Sequence, residues 1–107
     1  MRQEAPKYIP TEPYKRLISI LRSYKDDVAE LDKLTDDGSK RYAELSRRVN
    51  AVRKCLDRLT EEQRVVLEQN LLNGVALIYC YTTRAEFTVK LWRKKFLLDL
   101  AKELGEI

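Results

Sequence analysis

The residues best equipped for chemistry in this sequence are four cations clustered around one tryptophan. Lys90, Arg93, Lys94 and Lys95 flank Trp92. Between Arg84 and Lys102 six Lys/Arg face two Asp/Glu, a local excess of +4 that equals the formal charge of the whole 107-residue chain. Cations grouped in this way suit a polyanion, because each Lys or Arg that neutralises a phosphate releases condensed counterions. Apolar residues recur through the same stretch at steps of three and four, so it predicts a basic amphipathic helix over Thr83 to Leu104.

Catalytic chemistry has less to work with. The chain has no His, which leaves acid–base work to carboxylates, and Asp26-Asp27 and Asp36-Asp37 read as a polar helix face and a turn. No Ser or Thr has an evident activating base. Gly38, Gly74 and Gly105 read as turns or caps, so no glycine-rich loop is set up to cradle a phosphate. Cys55 and Cys80 are far apart, form no CxxC pair, and predict two buried free thiols rather than a structural zinc site. These observations predict a protein that is not an enzyme and needs no metal or cofactor. No signal peptide opens the chain, and the longest apolar run, Val75 to Tyr81, is too short to span a bilayer. The expectation is a soluble, cytoplasmic protein with no membrane partner.

Helices must position the cations. With three Gly and three Pro in 107 residues, and 44% hydrophobic residues, the composition predicts an all-α fold. Residues 1–13 hold all three prolines and read as an arm, with Thr11 or Glu12 capping a helix that tolerates Pro13 in its first turn. Tyr14, Leu17, Leu21, Tyr24, Val28, Leu31 and Leu34 then form one apolar stripe. Thr35 to Ser39 is a turn whose last residue caps a second helix, with its own stripe through Tyr42, Leu45, Val49, Val52, Leu56 and Leu59. The two predict an antiparallel hairpin over 14–59. Lys25 to Asp37 holds two Lys against six acids, and Lys40 to Arg58 seven Lys/Arg against two, so the hairpin can neutralise itself. Its long stripes also predict self-association into a homo-oligomer.

Residues 60–107 predict a separate unit. Thr60-Glu61-Glu62-Gln63 is a capping box, and the helix that it opens ends at Asn73-Gly74. Val75 to Tyr81 reads as a short, mostly hidden helix in preference to a strand without a partner. Thr83 to Glu86 is a second capping box opening the last helix. Phe87, Leu91, Leu98 and Ala101 mark one side of that helix, extended by Val89, Phe96, Leu97, Leu100 and Leu104, while Arg84, Thr88, Trp92 and Lys95 mark another. A short helix, a tight turn at Thr82-Thr83 and a longer basic helix make a helix-turn-helix. Its second helix would enter the major groove of double-stranded DNA. The candidate DNA-binding residues are Arg84, Thr88 and Trp92 toward bases or the sugar edge, and Lys90, Arg93, Lys94 and Lys95 toward phosphates.

Two stretches, Leu56 to Leu67 (LDRLTEEQRVVL) with Asn73-Gly74, and Phe87 to Ala101 (FTVKLWRKKFLLDLA), resemble the promoter-reading C-terminal domain of bacterial sigma factors. Within that group the chain is similar to small phage regulators of the RinA and ArpU type. The resemblance implies a sigma-region-4-like helix-turn-helix bundle behind the hairpin, in a phage-encoded activator of late genes working in a bacterial host. The expectation is thus a DNA-binding transcription regulator. Two alternatives remain open. One is a module with a degenerate motif that binds RNA polymerase or another regulator. The other is a small terminase subunit.

Overall fold

The computed structural model describes residues 9–34, 39–80, 82 and 84–106, and among them the fold is all-α. Helix α1 spans Thr11–Lys33, α2 Lys40–Asp57, α3 Glu61–Leu67 and α4 Glu86–Glu103. A π-helical turn, Glu68–Leu72, prolongs α3, and a single 3-10 turn, Leu77–Tyr79, lies in the connection to α4.

Local chemistry explains the helix ends. Pro10, with φ −56°, precedes α1, and Pro13 falls within the first turn, where helix amides have no intrahelical partner to lose. Residues 11–13 are therefore helix rather than arm, while the rest of the expected arm, residues 1–8, lies outside the described residues, as does the turn at 35–38. The Ser39 hydroxyl accepts from the Tyr42 amide at 3.2 Å and starts α2. At α3 both halves of the expected capping box form: Thr60 Oγ1 accepts from the Gln63 amide at 3.2 Å, and the Thr60 amide donates to Gln63 Oε1 at 3.1 Å. After α3 the Asn73 amide donates to Glu68 O and the Val75 amide to Gln69 O. These wide closures bring in Gly74 at φ +74°, where a Cβ would also run into the Arg22 guanidinium. Gly105, at φ +72°, ends α4 in the same left-handed manner.

Ion pairs set the direction of the hairpin. Glu30 near the end of α1 accepts from Arg41 Nε at 2.7 Å, and Asp27, three residues earlier, pairs with Arg48 at 3.8 Å, seven residues later. Position falls along α1 as it rises along α2, the signature of antiparallel neighbours. Part of the expected self-neutralisation is thus realised.

One hydrophobic cluster joins every helix. Leu17 and Leu21 of α1 and Val52, Cys55 and Leu56 of α2 meet Val66 and Leu67 of α3, Leu71 of the π turn and Phe96, Leu97, Leu100 and Ala101 of α4. Leu17 and Leu21 of the α1 stripe and Val52 and Leu56 of the α2 stripe are thus covered by the C-terminal half, while Val28, Leu31 and Tyr42 stay half-buried and Leu34 is exposed. Further exposed apolar side chains are Val65 of α3, Ile78 and Tyr79 of the 3-10 turn, and Phe87 and Leu91 of α4.

Candidate nucleic-acid interface

Helix α4 starts later than its sequence signal. Its N-cap is Ala85, which supplies no side-chain hydrogen bond, and Glu86 is its first residue. The anticipated box beginning at Thr83 does not open this helix, and Thr83 itself lies outside the described residues. Instead the Arg84 amide donates to Thr82 Oγ1 at 3.1 Å. Ahead of it, Val75 to Cys80 forms no hidden helix. Only Leu77–Tyr79 turns, in 3-10 form, and Ile78 and Tyr79 are each 79% exposed. Cys80 anchors this segment: it is buried, and its thiol donates toward the carbonyls of Val75 at 3.6 Å and Ala76 at 3.5 Å. Burial pushes that thiol up from its ordinary value.

The inward side of α4 also differs from expectation. Val89, Phe96, Leu97, Leu100 and Ala101 are buried, whereas Phe87 is 72% and Leu91 43% exposed. Apolar residues occur all round α4, so periodicity alone did not single out the core side. Phe87 and Leu91, four residues apart, share an outward face one turn from each other. Lys94 and Lys95 continue beyond them, both exposed.

The seven candidate residues divide accordingly. Lys90, Lys94 and Lys95 all face water. Lys90 makes an i,i+4 pair with Glu86 at 3.4 Å between two well-exposed side chains, whereas Lys94 and Lys95 have no ion pair among the described residues. Thr88 is half-buried beside them. Trp92 is half-buried and packs against the core. Arg84 is exposed but reaches back to α3, where its Nε and Nη2 donate to the two Glu62 carboxylate oxygens at 2.7 and 3.1 Å. That bond holds the Glu62 carboxyl below its ordinary value and raises Arg84. Arg93 turns inward. Its Nε donates to Asn70 Oδ1 at 2.9 Å and its Nη2 to Tyr14 Oη at 2.7 Å, with the guanidinium 5.6 Å above the Tyr14 ring. Arg93 is thus a clamp between α1, the π turn and α4 rather than a free phosphate contact.

Two of the three acids of α4 are held by a cation from outside the helix. Arg58, the C-cap of α2, donates to Asp99 at 2.8 and 2.9 Å and to Glu103 at 2.6 Å. Asp99, one turn beyond Lys95, is thus engaged by Arg58, and Lys94 and Lys95 make no ion pair among the described residues. Beside them, a cavity of about 410 Å³ opens between the start of α1, the 3-10 turn and α4, with Ile9, Tyr14, Leu77 and Leu97 as its apolar lining and Lys90, Arg93 and Lys94 as its cations. Phe87, Leu91, Ile78 and Tyr79 are the surface features the sequence reading missed. Only their shared side of the helix, with Leu98 and Ala101, hinted at Phe87 and Leu91.

No protein-family model matches this chain, and no curated protein or solved structure matches it either. The site must therefore be read from its own chemistry. Among the described residues, no group of three or more His, Cys, Asp or Glu is placed to hold a metal ion. No helix among them is long and apolar enough to cross a membrane.

Proposed function

We propose that this protein is a DNA-binding transcription regulator that lays the outward face of α4 along double-stranded DNA. The observation that carries this reading is the pair Lys94 and Lys95, exposed and with no carboxylate partner among the described residues, on a helix whose Asp99 and Glu103 are held by Arg58. At 18 residues α4 is about 27 Å long, and a helix of ordinary diameter fits the major groove, about 12 Å wide. Lys90, Lys94 and Lys95 supply phosphate contacts, which position a protein without reading sequence. Thr88 and the leading turn meet base edges. Arg84 and Arg93 act from behind, as supports of the helix. The sigma-factor-like and phage-regulator character of Leu56 to Leu67 and Phe87 to Ala101 belongs to this proposal, as does work in the cytoplasm of a bacterial host. A mobility-shift titration at low salt tests it. The duplex is retarded by the native chain and far less by the Lys94→Glu, Lys95→Glu double variant, with helical circular dichroism unchanged. Absence of a shift with the native chain at low salt overturns the proposal.

A second reading draws on Ile78 and Tyr79, the most exposed large apolar residues on the described surface. Grouped exposed apolar side chains mark protein contact sites. On this reading the 3-10 turn docks on RNA polymerase, another regulator or a second copy of the chain. Light scattering and co-purification that detect a stable complex, together with no affinity for DNA, favour it over the first.

A further inference from the structure

The commonest specific contact in the major groove is a guanidinium or ammonium placed on guanine O6 and N7, and the planar fork of Arg does this bidentately. Neither guanidinium near the start of α4 is free for it. Arg84 spends two donors on Glu62, and Arg93 spends two on Asn70 and Tyr14. What the leading turns present outward instead is Phe87, 72% exposed, followed one turn later by Leu91, 43% exposed. Neither residue belongs to the buried cluster. A large apolar side chain held in water at the tip of a groove-reading helix gains only from meeting another apolar group. Among the base edges of B-DNA the major groove offers one such group, the C5-methyl of thymine.

We infer that α4 reads thymine: Phe87 and Leu91 bury thymine C5-methyl groups in the major groove while Lys94 and Lys95 hold the adjacent phosphates. The inference rests on the DNA-binding reading above and adds to it the chemistry of the base contact. Its specificity is therefore for A·T steps that expose a methyl on the contacted strand. Lys94 and Lys95, as compact charges on flexible stems, supply affinity that is independent of sequence.

The test compares two short A·T-rich duplexes of identical sequence, one carrying thymine and the other deoxyuridine, which lacks only the methyl. Both are titrated with the full chain at one low salt concentration. A buried methyl changes a binding constant about fourfold, so the deoxyuridine duplex binds about fourfold more weakly for each methyl engaged. Phe87→Ala removes the part of that difference due to the methyl it contacts, and Phe87→Ala with Leu91→Ala binds the two duplexes alike, with unchanged circular dichroism because both residues lie outside the core. Replacing cytosine by 5-methylcytosine in a G·C-rich duplex restores the methyl and tightens binding by a similar factor. Equal affinity of the native chain for the thymine and deoxyuridine duplexes overturns the inference and leaves the DNA-binding proposal standing. Failure to bind any of the duplexes overturns both.

Discussion

Arg93 and Lys94 are neighbours in sequence, both cationic and both beside the same cavity, and differ in what holds them. Arg93 bonds to Asn70 and Tyr14 and stacks over the Tyr14 ring, so one side chain joins three elements. Removing it leaves Tyr14 and Asn70 with unpaired polar atoms in a partly buried place, and hydrogen bonds to charged groups contribute about 1.5–3 kcal/mol each. Arg93→Met should therefore lower stability by roughly 2 kcal/mol in urea unfolding. Lys94→Gln, on the open surface, should stay within about 0.5 kcal/mol of the native chain. Cys55 makes a second residue-scale prediction. Its thiol is pushed up to about 12, chiefly by burial and secondly by the negative charge of Asp99. A thiol is reactive only as thiolate. An aromatic disulfide reagent at pH 8 should leave Cys55 untouched in the folded chain and modify it at once in denaturant.

At the scale of elements, cap chemistry separates α3 from α4. Thr60 and Gln63 close both bonds of a box at α3, while α4 begins on Ala85, which caps nothing although its φ of −61° and ψ of 145° suit a capping residue. Ala85→Ser should add the missing acceptor and raise stability by about 1 kcal/mol, read as a shift of the urea midpoint at unchanged slope. The contrast also shows what the sequence could disclose. Helices α1, α2 and α3 were legible from residue spacing and from Ser39 and Thr60, because those signals are local and nothing distant competes with them. The start of α4 was not, since Thr83 and Glu86 match a capping box in letters while the backbone at Ala85 is what begins the helix. The Val75 to Tyr81 run was misread for a related reason. Its β-branched and aromatic residues suggested burial, but among its described residues only Leu77–Tyr79 turns, in 3-10 form, with Ile78 and Tyr79 exposed and Cys80 buried. The cationic face was legible in part. Six cations could be counted, but which of them faces outward depended on Tyr14, Asn70, Glu62 and Arg58, contributed by α1, α2, α3 and the π turn.

Across the whole molecule, ion pairs tie distant ends together. Arg16 of α1 donates to Glu106, beyond α4, at 2.7 and 3.1 Å, and Arg84 holds Glu62. Both carboxyls lie below their ordinary value through these bonds. The folded-state values are thus lower than the unfolded ones, so the stabilisation is complete above pH about 4.5 and disappears as the pH falls through the lowered values. Urea midpoints should stay level from neutral pH down to about 5 and drop below it, and Glu106→Gln should flatten part of that drop. These pairs and the shared core hold α4 against the rest of the chain and leave its lysine face exposed, as the proposed DNA contact requires. The most direct measurement of that role is the salt dependence of duplex binding by the native chain and by Lys94→Gln, Lys95→Gln. A phosphate contact contributes about 0.9 to the slope of log K against log salt. The slope should therefore fall by about two in the double variant, with stability unchanged. An unchanged slope, or no duplex binding at low salt by the native chain, would contradict the account.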